Sequence, residues 1–460
     1  MRVTTFFTLG LIASTAVTAS AQANFESRVD SIAAAVLRTT GVPSASVAVV
    51  QHGRLVLAKA YGSAKLEPDQ LASPEMRYGI GSISKQFTAA AMLLLQQQGK
   101  LKLDDPVGKY IPGLSRGNEV TIREILTHTS GYQDFWPQDY LMAPMLKDVT
   151  PREIMNGWAK QPLDFEPGTR WQYSNTGYVL AGMIVEKVSG MPFFQFIQTR
   201  LLDPLHMTTA KDFNADSHAA DAVGYIRYAL GPLHASPAAG KGWMYGAGML
   251  AMTATDLARW DISMINRSVL SRASYDAMFH ETILKNGAAS GYGLGVHTAM
   301  NAGRFFIEHS GEVSGFTAEN FLFPDDSAAV IVLTNQDAAP ASGAIASQIA
   351  RLLFATEDAL AANRTTQARA VFDGLQRGTV DRSLFTSNAN GYFSEMALKD
   401  FASSLSPLGV PTGFVQISTS KRGGMTLRSY RATFGDRSLH VWTFETADGK
   451  LEQYQIAPIA

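Results

Sequence analysis

Apolar residues recur at helical spacing over 24–40, with Phe25, Val29, Ile32, Val36 and Leu37 on one stripe, so the spacing predicts an opening amphipathic helix. Two apolar, β-branched runs follow at 44–51 and 55–61, and His52-Gly53 between them is a hairpin signal. Three more strand-like runs lie at 304–308, 316–323 and 328–334, closed by a helical pattern over 345–354. Helices at both ends with strands inside them predict one α/β (α+β) domain whose sheet is built from both termini.

The pattern changes after Ala355. Residues 357–369 are rich in alanine, threonine and asparagine and read as a helical linker, which puts a boundary near 360. Helical stretches at 369–375 and 395–405 then precede four strand-like runs at 414–419, 425–434, 438–445 and 451–456. Gly423-Gly424, Gly435-Asp436 and Asp448-Gly449 mark the turns between them. This small helix-then-meander α+β unit resembles the cone-shaped NTF2-like fold and contains no catalytic constellation.

At the other end, Met1-Arg2-Val3 leads into an apolar run over 6–13 and then into Ala21-Gln22-Ala23, the order of a secretory leader cut after Ala23. Polar residues return too early for the roughly 20 apolar residues of a bilayer span. The expected organisation is therefore a leader at 1–23, a large domain at 24–360 and an accessory domain at 361–460, in a periplasmic or secreted protein. With 460 residues the chain exceeds the roughly 250–300 at which single cores stop growing.

Composition narrows the partners. Charged residues are 17% of the chain and the formal net charge is −1, so there is no nucleic-acid footprint, and the expected partner is a small molecule or a peptide. No later run is long enough to span a membrane. There is no cysteine, which removes disulfides, thiol nucleophiles and cysteine metal sites together. The nine histidines are scattered without ligand spacing, and G-x-S-x-G, H-E-x-x-H and Walker strings are absent, so neither metal nor cofactor is expected.

Three short strings carry candidate chemistry. Ser82-Ile83-Ser84-Lys85 opens a helical pattern running to about residue 98, and side chains three apart are neighbours on a helix, so Lys85 can reach the Ser82 hydroxyl. A desolvated lysine of lowered pKa can take that proton, although the same spacing also describes an ordinary capped helix with a surface lysine. Tyr173-Ser174-Asn175 precedes an apolar helical pattern over 178–188. Two such side chains can share one cleft, the phenol relaying a proton and the amide holding a carbonyl, or they can simply start a helix. His309-Ser310-Gly311-Glu312 leaves the strand at 304–308, where an exposed edge can offer a backbone N–H to an oxyanion beside that of Ser82. Tyr132, Phe135, Trp136 and Tyr140 are aromatic candidates for a cleft wall, and His128 reads as structural.

Taken together, Ser82-x-x-Lys85, Tyr173-x-Asn175 and His309-x-Gly311 resemble the serine β-lactamase and penicillin-binding-protein superfamily, in its class C-like branch, over about residues 30–355. The strings from Ile125 to Gly131, Glu166-Pro167-Gly168 and Gly246-Ala247-Gly248 are similar to that branch as well. The resemblance implies a serine β-lactamase-like fold, Ser82 as nucleophile, Lys85 as its partner, Tyr173 as general base and acid, and Asn175, His309, Gly311 and Glu312 as substrate contacts. His309 stands where antibiotic-hydrolysing members carry a lysine, and similar histidine motifs belong to D-aminopeptidase and esterase-like relatives. The implied activity is acyl transfer to water from a D-amino-acid amide or peptide, or a small ester. The alternatives are β-lactam hydrolysis and a slow-turnover penicillin-binding sensor.

Overall fold

The computed structural model describes residues 10–459 apart from 139, 217, 302, 356, 357, 359 and 436, with side chains from Gln22 onward except at Asn301. Strand β1 (Ser44–Gln51) is enclosed along almost its whole length, which is why it reads as a continuous apolar run and not as an alternating one. Its residues divide by parity. Ala45, Val47 and Val49 enter one core with Val330 and Val332, while Ala48 and Val50 enter another with Ile331 and Leu333.

Around β1, strands β2 (Arg54–Leu66), β3 (Asp69–Leu71), β4 (His297–Asn301), β5 (Arg304–Val313), β6 (Phe316–Phe323) and β7 (Ala328–Thr334) complete an antiparallel sheet in the order β3-β2-β1-β7-β6-β5-β4. β1 runs beside β7, with Ala45 opposite Thr334 and Val50 opposite Ala329, so both ends of the sequence build the centre of the sheet. β5 extends five residues beyond the expected end at Glu308. Pairing with β4 stops at Glu308, but pairing with β6 continues to Val313 and keeps the strand extended.

Four helices matter for the site: α1 (Gly10–Thr40), α2 (Ser84–Gln97), α3 (Asn175–Ser189) and α4 (Ala341–Leu353). α1 and α4 cover one sheet face through Val29, Ala33, Val36, Ile345 and Ile349. α2 belongs to the opposite core and is buried on every side from Ser84 to Leu93, as its apolar sequence requires. Of the expected leader, residues 1–9 lie outside the described residues. α1 begins at Gly10 and not near 24, because the alanine-rich stretch ahead of Asn24 favours helix. Among the described residues no helix is long and apolar enough to cross a membrane.

Chain contacts divide the molecule between Phe354 and Ala355. The second unit contains α5 (Ala361–Gln376), α6 (Ser387–Tyr392), α7 (Glu395–Leu405) and a four-stranded antiparallel meander of β8 (Gly413–Arg422), β9 (Met425–Phe434), β10 (Arg437–Glu445) and β11 (Leu451–Pro458). It has its own core, centred on Phe372, Leu375, Phe393, Tyr430, Val441 and Tyr454.

Candidate active site

Ser82 sits on a 3-10 turn, Gly81–Ile83, that runs directly into α2. Neither helix start is capped by a side chain, so the Ser82 hydroxyl is left for other partners. The Ile80 N–H donates to the Leu250 carbonyl and anchors the turn from one side. Gly311 of β5 presses on it from the other, since a Cβ there would fall 2.0 Å from the Ile80 carbonyl oxygen and 3.3 Å from the Ser82 nitrogen. Gly311 therefore serves close approach. The Glu312 backbone likewise lies against Gly81. The far edge of β5, unpaired with β4 beyond Glu308, thus meets the turn that carries Ser82.

Lys85, in the first turn of α2, is fully buried, and its Nζ lies 2.8 Å from each of Ser82 Oγ, Asn175 Oδ1 and the Ala247 carbonyl oxygen. Burial lowers its pKa to about 7, with Asp134 acting in the opposite direction. A neutral amine has two N–H donors and one lone pair. The Asn175 and Ala247 oxygens can only accept, so they take both donors and leave the lone pair facing the Ser82 hydroxyl. Tyr173 Oη is 2.7 Å from the same Ser82 oxygen, and burial raises its pKa, so the phenol keeps its proton. With Lys85 neutral, Ser82 Oγ therefore accepts from Tyr173 and donates to Lys85; with Lys85 charged, it accepts from both.

Asn175 opens α3, three residues before the expected helical pattern at 178. Its orientation is set by a residue outside the three strings. Asp134 accepts the Asn175 backbone N–H at 2.9 Å and its side-chain amide at 3.2 Å, which turns Oδ1 toward Lys85.

His309 lies differently from its expected place among the substrate contacts. It is buried in the middle of β5 and is not among the residues lining the cavity that holds Ser82. Its Nδ1 donates to the Ser310 carbonyl at 2.6 Å, which leaves Nε2 to accept from the Tyr292 hydroxyl at 2.9 Å. Burial and the nearby Lys85 hold its pKa down to about 3. The Tyr173 ring is 6.3 Å away, so His309 stands beside the phenol that is hydrogen-bonded to Ser82. Gly311 serves the backbone, and Glu312 lines the cavity, where its Oε1 accepts from the Ala338 N–H. His128 is a packing residue: its Nδ1 accepts the Ser174 N–H, and its ring lies 4.3 Å from that of Tyr173.

The cavity above Ser82 has a volume of about 660 Å³. Phe135, Trp136 and Tyr140 line it as aromatic walls together with Trp243, whereas Tyr132 is buried and donates to the Ser115 carbonyl. Sequence reasoning missed Asp134, the Ala247 carbonyl, Tyr292 and Trp243. For Ala247 a signal existed in the string Gly246-Ala247-Gly248, but its role as an acceptor is visible only in three dimensions.

A family model described as Beta-lactamase matches residues 25–354. The putative penicillin-binding protein PbpX of Bacillus subtilis (strain 168) is 28% identical over 312 residues, which are 67% of this chain and 75% of that protein. A D-stereospecific amidohydrolase from Streptomyces sp. superposes with a TM-score of 0.59 at 25% identity, over 68% of this chain and 96% of that one. The octameric penicillin-binding protein homologue from Pyrococcus abyssi has the same fold across 94% of this chain and 96% of its own, with a TM-score of 0.63 and 24% identity. With its family model spanning most of the chain and its serine β-lactamase-like fold, this protein belongs to the beta-lactamase family and is a serine hydrolase.

Proposed function

We propose that this chain is an exported hydrolase that cleaves D-amino-acid amides or peptides, or small esters, through an acyl-enzyme on Ser82. The observation that carries this reading is the convergence of a buried lysine and a buried tyrosine on one serine oxygen, at 2.8 and 2.7 Å. Neutral Lys85 takes the Ser82 proton as Oγ attacks the carbonyl. Tyr173 gives its proton to the leaving nitrogen or oxygen and recovers one from Lys85, and water then retraces the steps to release the acid. The Ser82 N–H and the edge of β5 would face the oxyanion.

The amide preference is supported by the likeness to a D-stereospecific amidohydrolase. Export rests on the leader-like order of residues 1–23, and the second unit is read as an NTF2-like accessory domain from its helices and meander. The second reading, a slow-turnover penicillin-binding sensor, draws on the penicillin-binding relatives, but the complete Lys85 and Tyr173 set favours turnover. The test is labelling by a fluorophosphonate probe, followed by a screen of p-nitrophenyl esters, D-amino-acid amides, D-Ala-D-Ala peptides and nitrocefin. Labelling is expected in the parent and lost in Ser82→Ala. Unchanged labelling of that variant would overturn the assignment of the nucleophile.

A further inference from the structure

The surface beside Ser82 changes sign at Asp164. The charged lining of the cavity is acidic, made of Asp134, Asp164, Glu312 and Asp337, and among the described residues no lysine, arginine or histidine lines it. Asp164 also lines a second depression, of about 710 Å³, whose charged walls add Arg116, Lys160, Glu166 and Arg170. The two hollows meet at this residue and form one groove, acidic at the serine and basic farther out.

Arg116 is already engaged, by Glu119 and Glu166 at 2.6 Å each. Lys160 and Arg170 differ. Both are exposed, and among the described residues neither head group has a hydrogen bond or an ion pair. Two cations without counter-charges of their own on one depression favour an anion there, and the planar arginine fork matches a carboxylate.

The position of this charge along the groove follows from the chain. Gln172, next to Tyr173, donates to Asp164 at 2.5 Å, so the wall runs from Tyr173 toward the second depression. Arg170 is three residues from Tyr173, which puts their Cα atoms at most about 10–11 Å apart. Tyr173 is the group proposed to protonate the leaving atom, so whatever extends past it toward Arg170 is the leaving portion of the substrate. At about 3.3–3.6 Å per extended residue, that distance is two or three residues beyond the cleaved bond. Closer in, the Asp164 carboxylate repels an anion.

We infer that Lys160 and Arg170 form a subsite for a carboxylate carried by the leaving portion of the substrate, two or three residues beyond the cleaved bond. This rests on the acyl-enzyme reading above and adds to it the length and charge of the group that departs.

The experiment uses N-acetyl-D-alanyl esters whose leaving alcohol is glycolic acid, glycolyl-glycine or glycolyl-diglycine, each as the free acid and as the C-terminal amide. For the two longer leaving groups the acid is expected to exceed the amide in kcat/KM by about 2- to 10-fold, the range of two exposed ion pairs. For glycolic acid itself the ratio should be one or less, because that carboxylate reaches only the acidic wall. In the parent the preference should fade between about 0.01 M and 1 M salt, as the screening length falls from about 30 Å to about 3 Å. In the double variant Lys160→Glu, Arg170→Glu the acid-to-amide ratio should drop below one, and using a ratio divides out any general loss of activity. A parent that labels at Ser82 and cuts these esters without preferring the longer acids overturns the subsite and leaves the acyl-enzyme intact. So does a preference confined to glycolic acid, one that persists in 1 M salt, or one that survives the double variant. Failure of Ser82 to label, or cleavage of none of the esters, overturns the reading beneath it.

Discussion

Asp134 grips Asn175 twice, by its backbone N–H at 2.9 Å and by its side-chain amide at 3.2 Å, and so fixes the face that Asn175 presents to Lys85. The same carboxylate acts on Lys85 through space and raises its pKa against the larger effect of burial. One residue therefore orients the partner of Lys85 and offsets part of the effect of burial on its proton affinity.

The pH profile should show this. Lys85 must be neutral to accept the Ser82 proton, and its pKa lies at about 7, so kcat/KM is expected to climb with pH through about 7. Removing the Asp134 charge removes the influence that raises this value, so in Asp134→Asn the ascending limb should move to lower pH. A purely structural role would lower activity at every pH and leave the limb in place.

Tyr173 donates to Ser82 and keeps its proton because burial disfavours the phenolate. Tyr173→Phe should lose about 10²-fold or more in turnover, the scale of acid-base catalysis. The ring remains to pack against His128, so the melting temperature should change little. Full activity in this variant would take Tyr173 out of the proton path.

What the sequence made legible was local. Ser82 with Lys85, and Tyr173 with Asn175, lie within one helical turn or one tight turn, so their spacing allows shared chemistry, and only the three strings together, through the family they resemble, chose it over an ordinary helix start. The apolar run of β1 and the turns of the second unit are likewise carried by neighbours in the chain. Asp134 is different: it reaches Asn175 across 41 residues, through a loop whose path no periodicity records. The depth of His309 was hidden for a related reason. A strand residue is buried or exposed according to what packs on its face, and the extension of β5 to Val313 depends on pairing with β6, not on its own composition.

In the second unit, Arg428 is 5% exposed and forms ion pairs with Asp358 at 2.6 Å and with Glu445, which also binds Arg364. Breaking such a pair strands buried charge, at a cost of about 3–5 kcal/mol. Arg428→Ala should therefore lower the unfolding transition of this unit in calorimetry. Because the unit has no part in the proposed proton path, the initial rate of fluorophosphonate labelling at Ser82 should stay at the parent value. A large fall in labelling, with the first unit still folded, would mean that the second unit helps to build the site.

The last prediction concerns His309. Its pKa of about 3 leaves it uncharged at neutral pH, Tyr292 occupies its Nε2, and the charged lining is acidic, so among the described lining residues no cation is placed to meet an antibiotic carboxylate. Nitrocefin should accordingly be hydrolysed at least about 10-fold less efficiently than a short-chain p-nitrophenyl ester, the lower scale of a missing charged hydrogen bond. His309→Lys tests the cause. Lysine carries an ammonium on a longer stem, and it strands the Tyr292 hydroxyl while crowding Lys85 with a second cation. Overall activity should fall, yet the ratio of nitrocefin to ester kcat/KM should rise, because only nitrocefin brings a carboxylate to the new charge. A parent that turns over nitrocefin as readily as the ester would show that this cleft recognises β-lactams without a cation at position 309.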